Sequence, residues 1–158
     1  MNQIILKLLI ATILLFITGC GFKVLDKSAI NNFTIKKIES SGNSRINFKI
    51  KNNLLIETSK NSEHILSINL ETNKVKSVKE KNIRNQVKKF NLLIISNVEV
   101  QDLKNSKITK FNISAEGAYA VADNYSATLT NERKTIETLT DELSEKILEK
   151  LSLKINDN

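Results

Sequence analysis

Few side chains in this sequence have types that carry chemistry. His64 is the one imidazole and Cys20 the one thiol in 158 residues. A Ser-His-Asp site would have to use His64, and no Gly-x-Ser-x-Gly elbow accompanies it. A single His and a single Cys exclude a His-clustered metal centre, a Cys-rich zinc site and an internal disulfide framework. Acidic pairs occur, as at Asp141-Glu142, but they fall on an amphipathic segment and read as a solvated face. Four Gly and no Pro leave little material for a phosphate-cradling loop. The sequence thus predicts no catalytic residue and no metal, and His64 reads as a surface residue.

The remaining candidates are cations. Lys and Arg number 24 against 17 acids, for a net charge of +7. Arg45, Arg84 and Arg133 are the only arginines. Lys74, Lys76, Lys79, Lys81, Arg84, Lys88 and Lys89 fall close together, with Glu80 the only acid among them. Ammonium groups at such a density suit phosphate or carboxylate head groups. The other reading is compositional: a chain rich in Lys, Asn and Ile carries surplus lysine as solvated surface and as edge protection. Lys104, Lys107 and Lys110 surround a later turn. If successive strands form hairpins, the two groups lie at opposite ends of a sheet. Arginine clusters and stacking aromatics are scarce, with aromatics at 5% and no Trp, so no nucleic-acid binding is expected.

Cys20 belongs to a different kind of segment. Lys7 precedes an apolar run over residues 8–17, roughly 15 Å as helix against a hydrocarbon core of about 30 Å. That is short for a span and fits a secretory h-region. It ends Ile17-Thr18-Gly19-Cys20, which resembles a bacterial lipobox. The resemblance implies cleavage before Cys20, a diacylglycerol on its thiol and an acylated new amino terminus. It makes the covalent lipid the only prosthetic group expected. Several acyl chains make a stable membrane anchor. Gly21, not Asp, follows the Cys, which favours the outer membrane and its periplasmic side. The alternative is an ordinary signal peptide, or an uncleaved anchor, with a chance Cys.

Residues 1–19 therefore read as a leader and 20–32 as a lipidated tether. Residues 33–155 read as one domain. Phe33, Ile35 and Ile38 suggest a first strand, broken at Ser40-Ser41-Gly42-Asn43. Ile46, Ile50 and Leu54 recur at helical spacing over 44–59; Ile46, Phe48 and Ile50 also alternate as a strand would, and helix is the choice. Leu66, Ile68 and Leu70 alternate with polar residues over 64–71, as in a half-buried strand. Residues 72–88 are polar and lysine-rich. Phe90, Leu92, Ile94, Val98 and Val100 line one face of the longest strand. Leu93 and Ile95 put apolar groups on the other, to meet either a helix or a partner. A fourth strand over 108–118 and a helix over 131–153 complete the order β-α-β-β-β-α. The predicted fold class is α+β, a two-layer sandwich with a mixed four-stranded sheet packed on two helices.

The whole pattern resembles the LPS-assembly lipoprotein family of the LptE type. The resemblance rests on Gly19-Cys20-Gly21-Phe22, on Arg45 opening the first helix and on Asn82-Ile83-Arg84 entering the third strand. It rests also on Ala118-Tyr119, Tyr125-Ser126-Ala127-Thr128 and Asn131-Glu132-Arg133 leading into the last helix. It implies a non-catalytic subunit of the outer-membrane LPS translocon. Such a subunit plugs an LptD-type β-barrel, helps that barrel assemble and binds lipopolysaccharide. On that reading Lys74, Lys76, Lys79, Lys81 and Arg84 would bind LPS. The competing reading is a periplasm-facing lipoprotein serving as accessory subunit of another envelope or lipid-transport complex.

Overall fold

Alternation of apolar and polar residues sets four strands, and two helical stripes cover one face of the sheet they form. The structure, a computed structural model, describes residues 33–56 and 62–156. The leader, the tether and Cys20 lie outside the described residues. The elements are β1 (Phe33–Gly42), α1 (Ser44–Ile56), β2 (His64–Lys81), β3 (Val87–Asp102), β4 (Ile108–Ala120) and α2 (Tyr125–Asn156). The sheet order is β1-β2-β3-β4. β1 and β2 run parallel across the α1 crossover, and the other two pairings are antiparallel hairpins. The expected order and fold class are those observed.

Side chains on one face of the sheet make the core. Leu66, Ile68 and Leu70 of β2, Leu92, Ile94, Val98 and Val100 of β3, and Ile113 and Ala115 of β4 are buried there. They meet Ile46, Ile50 and Leu54 of α1 and Leu139, Leu143, Ile147 and Leu151 of α2. Asn43 caps α1, its Oδ1 accepting from the Ile46 N–H at 3.2 Å, which settles 44–56 as helix. Gly42 makes the turn possible. It sits at φ +85, and a Cβ there would stand 2.2 Å from the Thr72 carbonyl oxygen. Gly117 lets α2 lie close on β4, because its missing Cβ would press on Leu139 at 3.2 Å. The helices are tied to each other by Asp141, which accepts from Lys49 Nζ at 2.9 Å and from Asn53 Nδ2 at 3.0 Å.

Two boundaries differ from the sequence expectation. β2 runs on to Lys81, ten residues past the clean alternation. The extension is held by its ladder to β3, which needs backbone groups and no apolar side chains. α2 begins at Tyr125, six residues earlier than the apolar stripe implies. The Asn124 side chain caps it, accepting from the Ala127 N–H at 2.7 Å. Leu93 and Ile95 meet no helix among the described residues. They lie on the open face of the sheet beside Val75, which pairs with Leu93 across β2 and β3. Ile108 and Ala118 of β4 share that face by register, and polar pairs lie among them: Asn97 donates to Glu71, Asn112 to Asn97, and Asn91 to Glu116.

A cationic hairpin as the candidate functional site

The extra length of β2 turns the lysine-rich segment into one arm of a hairpin. β1 ends opposite Thr72, so β2 beyond that residue has β3 as its partner on one side only. β4 leaves β3 at the Lys89–Ala120 pair, while β2 and β3 stay paired to Lys81–Val87. The tip is a tight turn. Asn85 N–H donates to the Asn82 carbonyl and Asn82 N–H to the Gln86 carbonyl, both at 2.9 Å. Asn82 Oδ1 accepts from the N–H groups of Arg84 and Gln86 at 3.0 and 2.9 Å. Asn85 takes the left-handed conformation at φ 62, which Asn tolerates better than most residues.

The five candidate cations divide into two sets. Lys74 and Lys76 stand on the helix side of β2, in register with Ile94 and Leu92, and reach Glu132 of α2. Lys76 Nζ donates to Glu132 Oε2 at 2.8 Å, and Lys74 Nζ lies 3.6 Å from Oε1. Tyr119 OH donates to the same carboxylate at 2.8 Å. Lys76 also stands over the Phe90 ring, 4.3 Å from its centroid, and Phe90 stacks on Tyr119. Burial alone would raise the Glu132 pKa. Hydrogen bonds from Lys76 and Tyr119, with the charges of Lys76 and Lys74, outweigh it and hold the carboxyl below the usual value. Burial likewise depresses Lys76, but Glu132 and Tyr119 together more than restore it, and its pKa ends raised. Burial, with the carboxylate beside it, raises Tyr119. These groups knit the hairpin stem to the start of α2.

Lys79, Lys81 and Arg84 are exposed and continue to the tip. Lys81 Nζ donates to Asn85 Oδ1 at 3.0 Å. Lys88 is exposed beside them, and Lys89 pairs with Glu80 at 2.6 Å. Lys104, Lys107 and Lys110 sit around the β3–β4 turn at the far end of the sheet, as hairpin geometry requires. Lys110 pairs there with Glu99.

His64 has a structural bond that its sequence context did not signal. Its Nδ1 lies 2.8 Å from Asp102 Oδ2, and Asp102 also accepts from the Lys104 N–H at 2.9 Å. Burial pushes the Asp102 carboxyl up, but these two bonds prevail and its pKa is lowered. The pair clamps the start of β2 to the β3–β4 turn. Among the described residues no cluster of His, Cys, Asp or Glu could hold a metal ion. No helix among them is long and apolar enough to cross a membrane.

The fold is shared with solved bacterial lipoproteins. A lipoprotein of Caulobacter crescentus matches at TM-score 0.59 and 16% identity, over 83% of this chain and 95% of that one. Rare lipoprotein B of Shewanella oneidensis matches at TM-score 0.61 and 14% identity, over 80% and 98%. Lipoprotein B of Nitrosomonas europaea matches at TM-score 0.62 and 16% identity, over 87% and 94%. At such identities the likeness establishes the fold. None of the three carries the name of an enzyme. No protein-family model matches the chain, and no curated protein matches it.

Proposed function

We propose that this chain is a lipid-anchored, non-catalytic subunit of an outer-membrane LPS translocon. It lodges in an LptD-type β-barrel, helps that barrel assemble and offers cations to lipopolysaccharide. The observation that carries the reading is the separation of the two ends of the sheet. The tether enters at Phe33, which pairs with His64 at the start of β2. The cationic tip closes the opposite end, beyond the full 16 residues of β3. That is about 50 Å at the rise of a strand, against about 40–45 Å for a bilayer with its head groups. A module held by acyl chains on Cys20 in the periplasmic leaflet could thus reach the outer leaflet through a pore. The hydrogen-bonded Asn and Glu side chains of the open sheet face suit a hydrated lumen, where a bare apolar face would be costly. The lipoprotein neighbours of like fold support the anchor, and Lys79, Lys81 and Arg84 supply the charge for phosphates.

The test is purification of the acylated chain from native membranes, alongside a Cys20→Ser form. A heat-modifiable barrel should copurify with the wild-type chain, and the mature protein's mass should include the lipid. A bare thiol with the leader retained would refute the anchor. A lipidated chain recovered with envelope proteins other than a barrel would move the assignment to the accessory-subunit reading.

A further inference from the structure

The tip end of the molecule is amphiphilic as well as cationic. Ile83 occupies the apex of the Asn82–Asn85 turn and is fully exposed. Tyr125, the first residue of α2, is 77% exposed. It belongs to the same end, because Val121 N–H bonds the Lys88 carbonyl four residues before it. Lys79, Lys81, Arg84, Lys88 and Lys89 lie along the same hairpin, with Glu80 and Asp123 the acids nearby in the chain. Glu80 is already paired with Lys89. The apex stands about 10 Å beyond the last three-stranded level of the sheet, judged from the strand rise. Interfacial elements bury their apolar faces to about 5–10 Å.

We propose that this end is an interfacial anchor for phosphate-bearing lipid. Ile83 enters the acyl boundary, Lys79, Lys81, Arg84 and Lys88 hold the phosphates above it, and the Tyr125 ring lies nearer the head-group level. This rests on the reading of the hairpin as the lipid-facing end, and adds that contact is made with acyl chains as well as head groups. The N–H groups of Asn82, Arg84, Asn85 and Gln86 are all satisfied inside the loop, so none of these four donors is stranded in an apolar medium. The aliphatic stems of the lysines can cover apolar surface while their ammoniums stay at phosphate level. Tyr belongs at such a boundary, with an apolar ring and a polar tip.

The chain has no Trp, so Ile83→Trp is a clean reporter. The acylated full chain in uncharged detergent micelles is titrated with LPS, and separately with phosphatidylglycerol. The emission of the reporter should shift to the blue with either phosphate-bearing lipid, and brominated acyl chains should quench it. Ala at Lys79, Lys81, Arg84 and Lys88 together should move the midpoint at low salt. Ile83→Asp should weaken LPS binding about tenfold even where salt has screened the cations, with an unchanged melting temperature. An unshifted reporter alongside a quadruple variant that still weakens binding overturns the insertion and leaves the hairpin reading standing. No effect of either change overturns both. A blue shift in uncharged micelles alone overturns the requirement for phosphate.

Discussion

Glu132→Ala should show how the cationic hairpin is held to the body of the domain. Its side chain is 16% exposed and serves Lys76, Lys74 and Tyr119 at once. Truncation removes two short hydrogen bonds and leaves Lys76 against Phe90 and Tyr119 without its carboxylate. Fully buried pairs cost about 3–5 kcal/mol to break in this way, and exposed pairs under 1. Lys76 is 38% exposed, so an intermediate loss of about 2 kcal/mol is expected. In a domain of this size that lowers the melting temperature by roughly 6–10 °C. The pH dependence gives the second check. The Glu132 pKa is depressed in the fold, so its contribution is complete above the ordinary value of 4.5 and is lost as pH falls through the folded value. The Lys76 pKa is raised, so its contribution is complete below 10.5 and is lost as pH rises through the folded value. Melting followed from pH 3 to pH 11 should therefore show both limbs in the wild type, and both should flatten in the variant. Lys76→Ala in the Glu132→Ala background should cost much less than it does alone. A melting temperature within 2 °C of wild type, or an unchanged pH profile, would refute the reasoning.

Two further changes test the local geometry. Gly42→Ala places a Cβ 2.2 Å from the Thr72 carbonyl oxygen at a positive φ; a destabilisation of about 2–4 kcal/mol by chemical denaturation is expected. A smaller loss would mean that the β1–α1 turn relaxes freely. Asn82→Ala strips the acceptor from the Arg84 and Gln86 N–H groups; at an exposed turn this should cost only about 1 kcal/mol. It should also speed amide exchange at both positions, and unchanged exchange rates would show that the cap does not order the tip.

The sequence by itself determined which residues form the core and in what order the elements come. The period-two run Leu66-Ile68-Leu70 marks a strand face, whereas Ile46, Ile50 and Leu54 share a face in a helix and in a strand alike; the Asn43 cap and the exposure of Phe48 decide that segment as helix. The crossover and hairpin rules then leave few topologies, so the four-stranded mixed sheet was legible. So was the separation of the two lysine groups, which follows from the alternation of strand direction. The reach of β2 to Lys81 was not legible, because a ladder of backbone hydrogen bonds leaves no mark on side-chain type. The start of α2 lay hidden for a related reason: the Asn124 cap is local, and the apolar stripe begins a full turn or more beyond it. Only the tertiary structure decided which cations are tied to the body of the fold and which stand exposed on the hairpin. Lys74, Lys76 and Lys79 look alike in sequence. The difference is Glu132, more than fifty residues away, which α2 brings over the first two and not the third. Charge pairing depends on distance in space, and distance in space is set by packing.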